Sequence, residues 1–420
     1  MNNKRMRKTE LLIPAGSLEV LKTAVIFGAD AVYIGGEAFS LRAKARNFSV
    51  EDMREGIRFA HEYGAKVYVT ANILAHNADL DEAEKYFETL KELKPDGLLI
   101  SDPGIYRIAM KVCPEIDRHI STQANNVNYG TFLFWHDLGA KRVVCGRELS
   151  LKEIREIREH IPDDMEIEAF VHGAMCISYS GRCLLSNFLA GRDANRGECT
   201  HPCRWQYSLM EETRPGQYMP VYENERGTFI FNSKDLCMIE HIPDLLDAGV
   251  DSLKVEGRMK NALYVATVAR TYRHALDDYA QSAEKYKQNM AWYREQIADC
   301  TFRPFTTGFF YGKPGSDAQI YDSNTYGRNA VYLGIADLQK TPEGEELCTI
   351  EQKNKFCVGD VIEIMKPDGR NVPSRVLGMM DEEGNPMTSA PHPLQKLFLR
   401  LSEKPDRYDI LRIPEKPKES

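Results

Sequence analysis

The hydrophobic positions of this chain fall into two alternating patterns. Segments with apolar residues three and four apart predict helices, as in VEDMREGIRFAHEY (50–63), LDEAEKYFETLKEL (80–93) and SLKEIREIREHI (150–161). Between them lie short runs that are apolar on both faces, the pattern of buried parallel strands. A helical segment ends near a glycine and a β-branched run follows in FGADAVYIGG (27–36), YGAKVYVTAN (63–72), LGAKRVVCGRE (138–148) and AGVDSLKVEGR (248–258). Glycine at that point supplies a left-handed helix cap. ELLIPA (10–15), DGLLISD (96–102), RHISTQ (118–123) and EIEAFVHG (166–173) add four more strands. Eight alternating units predict a TIM-like (β/α)8 barrel. An open doubly wound sheet competes with it, but PAGSLEV (14–20), after the first strand, has a single glycine and no dinucleotide fingerprint.

Beyond the eighth strand, residues 260–298 read as helical, and 301–327 as an aperiodic connector rich in aromatics, glycine and proline. From Arg328 the pattern changes to short strands split by turns, among them Asp-Gly and Glu-Gly pairs suited to hairpins. The expected organisation is a barrel over residues 8–300 with an insertion at 173–240, then the connector, then a small β-barrel or open β-domain over 328–413.

The 420 residues are 43% hydrophobic and 28% charged, the balance of a globular protein with more than one core. A net charge of −8 gives no overall footprint for nucleic acid, so RNA binding would rest on a local patch. The N-terminal MNNKRMRKTELL lacks the apolar run of a secretory signal, and no stretch is long and apolar enough to span a bilayer. A cytoplasmic setting without membrane contact is expected.

That setting shapes the reading of residues 168–204, EAFVHGAMCISYSGRCLLSNFLAGRDANRGECTHPCR, which hold Cys176, Cys183, Cys199 and Cys203. The stretch has no clean period and is dense in glycine. In a reducing compartment clustered thiols are more often ligands or nucleophiles than disulfides. Four thiolates satisfy a tetrahedral zinc or a four-iron cluster, and the spacing fits neither a paired CxxC ribbon nor a ferredoxin run. On chemistry alone zinc and iron–sulfur stand level. Cys237, ending TFIFNSKDLC (228–237), is a fifth candidate ligand ranked below the four; Cys348 and Cys357 read as core residues.

A barrel keeps its chemistry at the C-terminal ends of its strands. Those ends read Gly16 and Ser17, Glu37, Asn72, Asp102, Gln123, Arg147 and Glu148, His172, then Glu256 and Arg258. Strand ends are often polar because they meet loops; the mixture of carboxylates, arginines, amides and a histidine at one mouth is less easily explained that way. Arginine captures carboxylate or phosphate bidentately, which points to a small anionic ligand. Arg42, Asn72, Gln123, Arg147 and Arg258 are the candidate binding residues, with Arg46 in the same loop as Arg42. His172, Glu256 and Arg258 are the catalytic candidates. The cysteine stretch begins where strand seven ends, so it is an insertion at this mouth.

EAFVHGAMCISYSGRCLLS (168–186) closely resembles the signature of the collagenase-like peptidases of unknown catalytic type. NRGECTHPCRW (195–205), NSKDL (232–236), LKVEGRMK (253–260), STQAN (121–125) and LLIPAGSLEVLKTAVIFGADAVYIGG (11–36) are similar in order and spacing. The branch most similar is that of the tRNA 5-hydroxyuridine proteins. The resemblance implies prephenate-dependent hydroxylation of the tRNA wobble uridine. It also implies a [4Fe-4S] cluster held by Cys176, Cys183, Cys199 and Cys203, with prephenate, a dicarboxylate, as cosubstrate. Cys237 departs from that branch's pattern. The competing functions are a peptidase, for which no HExxH or G-x-S-x-G motif is present, and a scaffold with a structural metal. A protein partner or homo-oligomer stays open.

Overall fold

The computed structural model describes residues 8–36, 39, 47–175, 185–190, 192, 199–200, 222–224, 227–229, 234–299, 303–314, 330–340 and 345–414. The chain divides into two compact units. The first comprises residues 1–25, 30–259 and 303–326, and the second 26–29, 260–302 and 327–420. The helices of 260–302, assigned to the barrel domain by sequence, therefore cluster with the C-terminal strands.

The first unit alternates strand and helix: β1 (Glu10–Pro14), α1 (Leu18–Ile26), β2 (Ala31–Gly35), α2 (Val50–Glu62), β3 (Lys66–Ala71), α3 (Asn77–Leu93), β4 (Gly97–Ile100) and α4 (Pro103–Val112). It continues with β5 (Asp117–Ile120), α5 (Tyr129–Asp137), β6 (Arg142–Val144), α6 (Leu151–His160) and β7 (Glu166–Ala174). Then come α7 (Leu185–Ala190), β8 (Tyr222–Asn224), β9 (Gly227–Phe229), β10 (Asp235–Cys237), α8 (Ile242–Asp247) and β11 (Ser252–Val255). β1 to β7 pair in sequence order, all parallel, and β11 pairs in parallel with both β7 and β1. The sheet is closed, an eight-stranded TIM-like barrel, and the open-sheet alternative is excluded. The four repeat glycines, Gly28, Gly64, Gly139 and Gly249, all have positive φ, as their capping role requires. Helix starts follow local side-chain chemistry. Ser49 caps α2 through Asp52 N, and Ser150 and Glu153 form a reciprocal capping box on α6. α3 begins three residues ahead of the predicted segment because the Asp79 carboxylate accepts the His76 amide at 2.7 Å.

The barrel interior is charged. Arg142 on β6 binds Glu10 on β1, Glu166 on β7 at 2.6 Å and Glu168 on β7 at 3.0 Å. Glu168, fully buried, also takes Lys254 of β11 at 2.6 Å. Tyr68 and Ser252 donate to Glu10 at 2.6 and 3.0 Å. The Lys254 ammonium lies over the Tyr33 ring at 4.5 Å. His119 packs edge-on against Tyr68, and its Nδ1 is buried without a hydrogen-bond partner. Burial, with Arg142 and Lys254 nearby, holds this imidazole well below its ordinary pKa, so it is neutral in the fold. Despite the cost of burial, the Arg142 charge keeps the Glu10 carboxyl below its usual range.

In the second unit α9 (Ala262–Gln281), α10 (Ala283–Gln288) and α11 (Met290–Ala298) precede the strands. β12 (Phe305–Thr306) belongs to the first unit and pairs in parallel with β10. The antiparallel sheet comprises β13 (Ala330–Ile335), β14 (Asp337–Lys340), β15 (Glu346–Glu351), β16 (Val361–Met365), β17 (Asn371–Met380), β18 (Pro386–Met387), β19 (Lys396–Leu401) and β20 (Ile410–Pro414). Asp368-Gly369 and Glu383-Gly384 make the β16–β17 and β17–β18 turns, each glycine with positive φ. Cys348 is buried in this core with Ile350, Ile362 and Leu399, whereas Cys357 is only half-buried. The fully buried Arg270 of α9 donates to Lys366 O at 3.0 Å and Asn371 Oδ1 at 2.9 Å. Among the described residues no helix is long and apolar enough to cross a membrane.

The polar interior is open to test by stability. Glu168→Gln removes the carboxylate between Arg142 and Lys254, and the expected loss is about 3–5 kcal/mol of unfolding free energy. In urea denaturation the double variant Glu168→Gln/Lys254→Met loses less than the two single losses summed, because they share one interaction. For His119 the folded pKa lies below the unfolded value near 6.5, so the unfolded chain binds the extra proton as pH falls. Stability that is full above that value is lost below it, at up to about 1.4 kcal/mol per pH unit. His119→Phe should flatten the fall in melting temperature between pH 7 and pH 5.

Candidate functional site

The strand tips meet at the barrel mouth, and Arg258, just past β11, spans it. Its side chain is buried; Nη1 donates to Thr70 Oγ1 on β3 at 3.2 Å and Nη2 to Asn47 Oδ1 at 3.3 Å. Thr70 passes its own hydroxyl hydrogen to Ile34 O at 3.0 Å. The Arg258 backbone lies against the tip of β1, where a Cβ on Gly16 would stand 2.2 Å from Arg258 O. That approach explains the glycine in PAGS.

On the next strands Asn72 Nδ2 donates to Ser121 Oγ at 3.3 Å and Asn72 O accepts from Ser101 Oγ at 3.2 Å, tying the tips of β3, β4 and β5 together. Gln123 is half-buried in the turn Thr122–Ala124. Arg147 donates to Ala174 O at 2.8 Å and lies over the Phe170 ring at 4.0 Å. Burial raises the neighbouring Glu148 carboxyl above its usual pKa. His172 is buried with its ring 5.8 Å from that of Phe305. Glu256 is buried, its amide donating to His172 O at 2.8 Å. Asp102 caps α4, accepting from Gly104 N at 2.7 Å and Ile105 N at 3.1 Å. Ser17 caps α1 through Val20 N. Glu37, Arg42 and Arg46 lie outside the described residues.

The cysteine insertion leaves and returns at one point. The last residues of β7 pair antiparallel with β10, matching Ala174 with Asp235, Gly173 with Leu236 and His172 with Cys237. Cys237 thus sits directly across from His172. Within the insertion Thr200 N donates to Ser186 Oγ at 3.0 Å, and the two hydroxyls are 3.3 Å apart. Ser186 follows closely on Cys183, and Thr200 lies between Cys199 and Cys203. This clasp ties Ser186 to Thr200, and the β7–β10 ladder fixes the chain just before Cys176. Cys176, Cys183 and Cys203 themselves lie outside the described residues, and among those described there is no group of three or more metal-ligating side chains. By donor chemistry alone, four soft thiols suit a thiolate-held metal or cluster.

Tyr33, Tyr68, Arg142, Glu168 and Lys254 were missed by sequence reading, although their signal is present. In EIEAFVHG, Glu166, Glu168 and His172 recur at even spacing in an otherwise apolar strand, the mark of one inward face. Asn47, which accepts from Arg258, and Tyr86, which packs against Gly36, carry no such signal.

The fold and mouth define a (β/α)8 barrel with a buried cation over its opening and a cysteine-bearing excursion stapled to its seventh strand. The chain belongs to peptidase family U32: the family's model matches residues 16–320, and that of the U32 C-terminal domain matches 328–412. It is 42% identical over 406 residues to the tRNA hydroxylation protein P1 of Bacillus subtilis, covering 96% of this chain and 95% of that one. With the tRNA hydroxylation protein P of Escherichia coli it shares 39% identity over 92% of both chains. With the 23S rRNA 5-hydroxycytidine C2501 synthase of Escherichia coli it shares 35% identity over 320 residues, covering 75% of this chain and 47% of that one.

The Arg258 anchor is testable by stability. Thr70→Val removes its hydroxyl partner inside the mouth, and a loss of about 1–3 kcal/mol in urea denaturation is expected; an unchanged midpoint would show that the contact contributes nothing.

Proposed function

We propose that this protein hydroxylates RNA, specifically the wobble uridine of tRNA at its 5-position, with prephenate as cosubstrate and a [4Fe-4S] cluster on Cys176, Cys183, Cys199 and Cys203. The observation that carries the reading is the β7–β10 ladder, which ties the four-cysteine excursion to the mouth where Arg258 is buried. The likeness to tRNA hydroxylation proteins along nearly the whole chain supports the substrate class.

When bound, the cluster would supply one-electron transfer. The chain's own residues do the rest. Arg258, held by Thr70 and Asn47, presents a preorganised cation to a ligand carboxylate. Arg147 holds the Ala174 carbonyl and so steadies the chain entering the first cysteine loop. His172, paired directly across from Cys237 at the root of the excursion, is the candidate proton carrier. Peptidase activity, the competing reading, would not depend on the four thiols.

Anaerobically purified protein should be brown and contain iron, and the variant with all four cysteines replaced by serine should lose both colour and iron. A colourless protein with stoichiometric zinc would overturn the cluster. Deletion of the gene, in a strain without a paralogue, should abolish 5-hydroxyuridine derivatives in bulk tRNA nucleosides by mass spectrometry. Unchanged derivatives would overturn the tRNA assignment, and peptidase activity surviving the four substitutions would favour the competing one.

A further inference from the structure

The hydroxyl of Tyr86 on α3 is buried and has no hydrogen-bond partner. Folded proteins seldom leave such a group unsatisfied without a use for it. The hydroxyl is aimed at the tip of β2: a Cβ on Gly36 would stand 2.5 Å from Tyr86 Oη, so only glycine leaves it room. The ring is fixed by Phe39, whose centroid lies 5.2 Å away. Gly36 is bridged to Phe48, and Asn47, the residue before Phe48, accepts from Arg258 Nη2 at 3.3 Å. Phenol and guanidinium therefore flank one bridge at the mouth. The Arg258 charge is near enough to favour the phenolate, but burial outweighs it and pushes the phenol well above its ordinary pKa. Tyr86 stays a protonated donor.

We propose that Tyr86 Oη donates to a carboxylate oxygen of the anionic ligand that Arg258 holds, so that Gly36, Tyr86 and Arg258 form one carboxylate-binding corner beside the tips of β2 and β3. A charge-assisted bond from a neutral donor completes what a single guanidinium leaves open on a carboxylate. This inference rests on the reading of the mouth as a prephenate site.

The test compares wild type and Tyr86→Phe as full-length holoprotein, with prephenate titrated calorimetrically and melting measured without ligand. A hydrogen bond to a charged group predicts that Tyr86→Phe weakens prephenate binding by about tenfold or more. The ligand-free melting temperature should be unchanged or higher, because an unsatisfied group has been removed; a purely structural tyrosine would lower it. Equal affinities, or a lowered ligand-free melting temperature with unchanged affinity, would overturn the role of Tyr86 and leave the prephenate site standing. Failure of wild type to bind prephenate would overturn both.

Discussion

Glu168 carries the constraint on which the barrel depends. It is a fully buried carboxylate on β7, and its two oxygens are taken by cations from the strands on either side, Arg142 of β6 and Lys254 of β11. A charge so deep is tolerable only when paired and hydrogen-bonded. The Lys254 half of that pairing and the Arg142–Glu10 contact form only when the sheet closes, because β11 must come round to lie between β7 and β1. Ring closure and charge compensation are thus one event. The same column reaches β1 and β3 through Glu10 and Tyr68, so most of the ring's circumference is joined by polar contacts where a barrel commonly packs aliphatic layers.

β7 is also the strand that leads out to the cysteine excursion. Its first half lies in the charged interior, and its last three residues pair with β10, His172 still in register with Val255 of β11. A nine-residue strand among neighbours of three and four residues gives the cysteine excursion a rigid root. Arg147 adds a clamp on Ala174, and β12 extends the ladder on the far side of β10. A reactive group carried on a long loop needs such support, since loops by themselves position side chains loosely. The mouth beneath is built on the same terms: Gly16 lets the Arg258 backbone approach, and Thr70 and Asn47 hold its guanidinium.

What the amino-acid order determined by itself was whatever depends on local period and local chemistry. The glycine after each helix, the doubly apolar strands and the capping residues are written in neighbouring positions, and the barrel, its order and the hairpin turns follow from them. The thiols and the charged strand tips were equally plain. An acid after a strand and an acid before a helix are the same letter in a βα unit, and only the Gly104 and Ile105 amides reveal that Asp102 is a cap. Tertiary structure alone decided which charges neutralise one another, which glycines face a backbone, and where the excursion returns. Arg142 and Glu10 are 132 positions apart, and Arg258 and Thr70 are 188 apart. No periodicity spans such separations: these partners become neighbours only when the last strand meets the first, and the packing of that closed ring selects which polar groups touch.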